Sequence, residues 1–228
     1  EDSLADQLRH LDASSARGRF LIQLFHEGKL KPEIVDLVIS KSELFFKQIS
    51  LSLITLEQQE QMVDALEIHP RFLVGGKAAG LAEAAQIFGL EALPKSNTIT
   101  TEAIENWLKS DPQLWKLIVQ LNKTKDIDEK IQISSTISNL IKNKHFDMPL
   151  LEADSSVDTV FAVRSSSFDE DTDFNGSAAG IYESQVPVKR TDLGKAVSHV
   201  VSSFFFEKAV CYRNMQGLSD SPMFAVII

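Results

Sequence analysis

A glycine pair followed by a lysine is the first feature of the sequence that could carry chemistry. The run GGKAAGL spans Gly75 to Leu81 and is followed by an alanine- and leucine-rich helical pattern. Glycines let backbone amides approach a ligand, and a lysine at a helix start adds charge where the helix dipole favours anions. It is not a P-loop, because Ala78 rather than Ser or Thr follows Lys77. The run predicts either a phosphate site or an ordinary loop that leads into a helix.

The second candidate is an arginine at the end of a predicted buried strand. The run VRSSSFDED spans Val163 to Asp171, with Arg164 followed directly by three serines. A guanidinium is always charged and makes forked contacts to phosphate oxygens, so Arg164 is a candidate phosphate clamp. The alternative is that Arg164 pairs with Glu170 or Asp171 on a solvated turn.

A second loop of small residues supplies the third candidate. The run GSAAGIYES spans Gly176 to Ser184. Gly180 permits backbone contact with a ligand, and Ser184 lies on the same side as Tyr182 if the strand that follows is regular. The alternative is a hairpin turn that happens to be rich in small residues.

Composition limits the classes of protein and partner. The chain has 228 residues, 43% hydrophobic and 24% charged, which is typical of a folded protein with one large domain or two small ones. No apolar run is long enough to cross a membrane and the start is acidic, so we expect a cytoplasmic protein without a membrane partner. A net charge of −9 disfavours a nucleic-acid partner but not ATP, which responds to the local field.

Helical patterns dominate the first part of the chain. Residues 1–66 are predicted to form a small helical layer, with Thr55 and Gln58 as a capping box for a helix to about Leu66. Residues 67–228 are predicted to form the following domain. Its helices are expected at about 101–109, 112–121 (with Asp111 as cap) and 127–142.

Strand signals begin after Asp158. The runs TVFAVRSS, IYESQVPV and the final PMFAVII are predicted strands, and a long helix is expected from Thr191 through Arg213. The single cysteine, Cys211, lies in an apolar helical pattern and is predicted to be a buried small hydrophobe.

The order of these motifs resembles one family. GGKAAGLAEA, ALPKSNTITTEA, AVRSSSFDED, SAAGIYES, AVCYRNMQG and FAVII occur in the order found in the ATP-binding region of phosphoenolpyruvate synthase, pyruvate phosphate dikinase, starch water dikinases and rifampicin phosphotransferase. The resemblance covers about Phe72 to Ile228. It implies an α+β, ATP-grasp-like N-terminal lobe, incomplete here and preceded by the helical layer.

The resemblance also assigns roles to four residues. Lys77 matches the glycine-loop lysine and Arg164 the arginine of the VRSS motif, both of which contact ATP phosphates. Gly180 matches the glycine of the family's SFAG turn, in which Ala178 replaces the phenylalanine. Ser184 matches a Ser or Thr that lines the nucleotide site. No catalytic residue and no metal ligand is expected within the chain.

The implied function is ATP binding in a phosphotransferase that moves a phosphoryl group from ATP to a histidine on another domain, and then to pyruvate or a similar acceptor. The expected cofactors are ATP and Mg²⁺, with the metal ligands, the adenine-binding segment and the remaining domains lying after Ile228. The alternative is a non-catalytic or degenerate nucleotide-binding or interaction module.

Other polar groups are predicted to have structural or surface roles. The carboxylates Glu170, Asp171 and Asp173 could hold Mg²⁺, but a solvated acidic turn is the preferred interpretation. None of the histidines has the small-residue setting of the family's phosphorylated histidine; they are His10, His26, His69, His145 and His199.

Overall fold

The chain contains a five-stranded antiparallel sheet with helices on both of its faces. The computed structural model describes residues 53–60, 71–148, 159–168 and 180–228. The strand order is β1-β2-β5-β3-β4, and every neighbouring pair is antiparallel. The strands are β1 (Leu53–Thr55), β2 (Asn97–Ile99), β3 (Val160–Ser167), β4 (Ser184–Lys189) and β5 (Phe224–Ile227). The combination of helices and an antiparallel sheet confirms the predicted α+β class.

Most of the other described residues lie in helices. They are α1 (Arg71–Phe88), α2 (Thr101–Lys109), α3 (Pro112–Lys123), α4 (Ile127–Asn143), α5 (Leu193–Ser202) and α6 (Glu207–Gln216), with short 3₁₀ turns at Leu90–Ala92, Arg190–Asp192 and Ser203–Phe205. Within the described ranges, no helix is both long and apolar enough to cross a membrane.

Side-chain caps explain why the helices begin where they do. The Asp111 carboxylate accepts hydrogen bonds from the backbone N–H groups of Gln113 and Leu114, at 3.0 and 3.1 Å, as predicted. Thr100 caps α2 and Asp126 caps α4 in the same way. Each cap satisfies an amide that has no partner within its helix. The three helices predicted between residues 101 and 142 are thereby confirmed.

Within residues 1–66, for which the sequence predicts a layer of helices, the structure describes residues 53–60 and adds a short strand. Thr55 and Gln58 do form the capping box, with reciprocal bonds of 2.9 and 3.1 Å, and residues 56–60 are helical. Leu53–Thr55, however, forms β1 and pairs with β2. Three residues are too few for period-two alternation to appear in the sequence. The predictions made for residues 1–52 lie outside the described residues.

The long helix predicted from Thr191 through Arg213 is divided into α5 and α6. Phe206 between them is extended, with φ −71° and ψ 149°, and the two phenylalanines before it are buried in the core. Arg213 of α6 reaches back to donate a hydrogen bond to the carbonyl of Phe204, at 2.8 Å. The sequence does not indicate this break because the apolar spacing is helical on both sides of it.

The largest hydrophobic cluster lies between one face of the sheet and helices α2 to α6. It includes Val163 of β3, Val226 of β5 and Val197 of α5. Helix α1 contacts β3 and β5 from the other face of the sheet, the one that carries the Ser166 side chain. Cys211 lies on α6 as predicted but is only half-buried, because its helix packs on the core mainly through Ala209, Val210 and Arg213.

Candidate functional site

The glycine segment and the serine-rich strand are held together by one hydroxyl. Ser166 Oγ donates a hydrogen bond to the carbonyl of Val74, at 2.7 Å, and accepts one from the backbone N–H of Ala78, at 3.1 Å. Ser166 is fully buried. A side chain of β3 thus caps the helical segment that contains Lys77, and two motifs separated by about 90 residues form one unit.

Helix α1 is interrupted at Gly75, which makes this cap possible. Gly75 has φ 76° and ψ 176°, so the helical backbone stops there and starts again with Gly76. A Cβ at Gly75 would lie 1.9 Å from the carbonyl oxygen of Ser166. The predicted loop is thus replaced by a one-residue break between two helical segments, and the second segment has its own N-terminus, with Lys77 in its first turn and half-buried. Such an N-terminus favours anions.

Arg164 and Ser184 lie directly opposite each other on neighbouring strands. Their Cα atoms are partners in the β3–β4 register, and both residues are exposed. Side chains at directly opposed positions share a face of the sheet. Arg164 is two residues before Ser166, and alternate residues of a strand point to the same face. The structure therefore places Arg164 and Ser184 on the face that carries the glycine segment.

Gly180 lies in the turn that leads into β4. Its φ is +77°, a conformation that favours glycine, and the space where a Cβ would lie is open. The predicted alignment of Ser184 with Tyr182 is wrong, because β4 begins only at Ser184 and regular alternation does not reach back to Tyr182. Tyr182 is buried and packs against Phe204, with ring centroids 5.9 Å apart.

The charge at the site comes from Arg164 and Lys77. Arg164 forms no ion pair within the described part of the chain. Its alternative partners, Glu170 and Asp171, lie outside the described residues. Among the ranges that are described, no cluster of three or more His, Cys, Asp or Glu side chains could hold a metal ion.

Two residues of the site carried no recognisable signal in the sequence. Ser166 looked like one of three equivalent hydroxyls, although a serine inside a buried strand needs a hydrogen-bond partner and could have suggested a contact. Lys208 of α6 has no sequence signal that marks it as part of a site. Its Nζ lies 3.0 Å from the carbonyl oxygen of Gly180 and 2.7 Å from Glu183 Oε1.

These features define an α+β domain with a candidate anion-binding site, formed by a helix N-terminus and by exposed Arg and Ser side chains of adjacent strands. The chain matches the family model described as "Pyruvate phosphate dikinase, AMP/ATP-binding domain" over residues 71–228. It belongs to this family, as the order of its motifs had indicated. The matched range contains all four predicted site residues: Lys77, Arg164, Gly180 and Ser184. No curated protein matches the chain.

Proposed function

We propose that the chain binds the phosphates of ATP as part of an ATP-dependent phosphotransferase of the dikinase class. Membership of the family, whose model is described as an AMP/ATP-binding domain, supports ATP as the ligand. The observation that carries the placement of the phosphates is the register of Arg164 opposite Ser184, on the face where Ser166 holds the glycine segment.

The proposed roles follow from the chemistry of each group. Lys77 and Arg164 neutralise phosphate charge, and the Arg164 fork can contact two oxygens at once. The open left-handed turn at Gly180 lets backbone approach the ligand, and the Ser184 hydroxyl adds a hydrogen bond. Positioning and electrostatic stabilisation provide most of the catalysis in phosphoryl transfer, and these residues would contribute to both.

The chain would act as one part of a larger enzyme. In this proposal the fold is ATP-grasp-like, and Mg²⁺ accompanies ATP with ligands expected outside this chain. The phosphoryl group passes to a histidine on another domain and then to pyruvate or a similar acceptor. This chain supplies the phosphate clamp and not the acceptor. In this proposal residues 67–228 form most of the binding domain, and Leu53–Thr55 adds β1 to its sheet.

The test is calorimetric titration of the chain with ATP. Arg164→Gln should weaken binding at least about tenfold, because a hydrogen-bonded charged contact contributes roughly 1.5–3 kcal/mol. Lys195→Gln is the matched control, since Lys195 is an exposed cation on α5, a helix that packs on the opposite face of the sheet. Equal affinities of wild type and Arg164→Gln would contradict the proposed site.

A further inference from the structure

We propose that Lys208 is a positioning residue for the nucleotide site. It acts by holding the turn from Gly180 to Ser184 against helix α6. The inference rests on the proposed function. It assigns to Lys208 no direct contact with ATP.

Lys208 joins two oxygens of the same turn. From the first turn of α6, its Nζ donates to the Gly180 carbonyl at 3.0 Å and pairs with Glu183 Oε1 at 2.7 Å. These partners are 28 and 25 residues away along the chain, so the contacts fix the turn relative to a different element. An ammonium is well suited to this because it offers several donors from one atom.

The turn has a second anchor beside the first. The backbone N–H of Glu183 donates to Ser203 Oγ at 3.0 Å, and Ser203 Oγ in turn donates to the carbonyl of Val200 at 2.6 Å. Ser203 is fully buried. Glu183 is thus held at its amide by a buried hydroxyl and at its carboxylate by Lys208, which restrains both its backbone and its side chain.

This restraint reaches the site through a single peptide bond. Ser184 follows Glu183 directly, opens β4 and lies opposite Arg164. A shift of Glu183 therefore displaces Ser184 relative to Arg164. The Lys208 ammonium itself contacts two oxygens of the protein, so we assign it no contact with phosphate. Loss of Lys208 should loosen the geometry of the phosphate contacts without removing a phosphate contact.

The experiment compares Lys208→Met with Lys208→Arg and Glu183→Gln, and uses Lys195→Met as a control for loss of one exposed positive charge. Hydrogen exchange without ligand follows the Glu183 amide, and calorimetry measures ATP affinity at several salt concentrations. Lys208 and Glu183 are both about 40% exposed, so circular dichroism should show folded variants with small changes in melting temperature.

We expect Lys208→Met to accelerate exchange of the Glu183 amide and to weaken ATP binding about fivefold, as losing an exposed ion pair and one hydrogen bond would. Glu183→Gln should weaken binding less, Lys208→Arg should retain most of the affinity, and Lys195→Met should change neither quantity. The salt dependence of binding should keep its wild-type slope in Lys208→Met, whereas Lys77→Met should flatten it.

Three results would overturn the proposal, and each is distinct from failure of the proposed function. The first is unchanged exchange of the Glu183 amide in Lys208→Met, and the second is unchanged ATP affinity in that variant. The third is a flattened salt dependence in Lys208→Met, which would show that Lys208 contacts phosphate directly. Absence of ATP binding by the wild-type chain would instead remove the proposed function, and the positioning role with it.

Discussion

Gly75 and Ser166 approach each other so closely that no side chain fits between them. A Cβ on Gly75 would lie 1.9 Å from the carbonyl oxygen of Ser166 and 2.5 Å from its Oγ. The carbonyl belongs to the backbone of β3, next to β5 in the sheet, and cannot move aside as a flexible side chain could. The first glycine of the pair is thus required by the packing of α1 on the sheet, independently of any ligand.

Gly75→Ala should therefore destabilise the protein. The alanine would have to adopt φ 76° and displace β3, which together should lower the free energy of unfolding by at least about 2 kcal/mol. Urea denaturation measures this. Gly80→Ala is the matched control: Gly80 is exposed within the same helix, nothing lies within 4 Å of its Cβ position, and alanine there should stabilise by about 0.5–1 kcal/mol. Similar effects of the two changes would contradict the close approach.

Ser166→Ala tests the hydroxyl that caps α1. The change removes the donor to Val74 and leaves the buried amide of Ala78 without its acceptor, which should cost about 1–3 kcal/mol of unfolding free energy. Thr136→Ala is a suitable control, since its hydroxyl bonds only within exposed α4 surface and its loss should cost less than about 0.5 kcal/mol. ATP affinity should fall in Ser166→Ala alone. Equal stability of Ser166→Ala and Thr136→Ala would show that the cap does not stabilise the protein.

The parts of the fold that could be predicted are those with local signals. Asp111 with Pro112 identifies the start of α3 in the sequence, and the Thr55–Gln58 pattern identifies a helix start. Strand β5 was predictable as an apolar run. Its place between β2 and β3 was not, because pairing joins residues far apart in the chain and no single-sequence pattern specifies the partner.

The residues of the candidate site also differ in whether a local sequence signal marks them. Lys77 and Arg164 stand out in the sequence because their residue types and settings suit phosphate; both lie in the range of the family match, and their roles stay predictions. The contact of Ser166 with the glycine segment depends on how α1 packs against β3, which the sequence does not express. Lys208 was missed because a lysine on the first turn of a helix is ordinarily solvated, and its two oxygen partners come from a turn on another element.

Asp220 should be one of the most sensitive polar positions for stability. Its carboxylate accepts from Arg213 Nε at 3.0 Å and from Lys130 Nζ at 2.7 Å, and all three residues are buried. Asp220→Ala would leave two cations buried without a counter-charge, which costs about 3–5 kcal/mol when a buried pair is broken.

Thermal and urea unfolding of Asp220→Ala would measure this loss. Lys109→Met is the control, since it removes a partly exposed pair with Glu105 and a contact of Nζ with the Trp115 ring, which together should cost about 1 kcal/mol. If Asp220→Ala were no less stable than Lys109→Met, the buried network would not be formed as described.

Nucleotide binding by this chain should depend on phosphate rather than on base. The four candidate residues offer two positive charges, a backbone turn and a hydroxyl, and none of them offers an apolar surface on which adenine could stack. We therefore expect ATP to bind with a dissociation constant of about 0.1–1 mM, equivalent to roughly −5.5 to −4 kcal/mol. GTP and inorganic triphosphate should bind within a few-fold of ATP, and all three should weaken as salt screens the charged contacts. Calorimetric titrations at two salt concentrations measure this. Micromolar binding selective for adenine would mean that a base pocket exists among residues not assigned to the site.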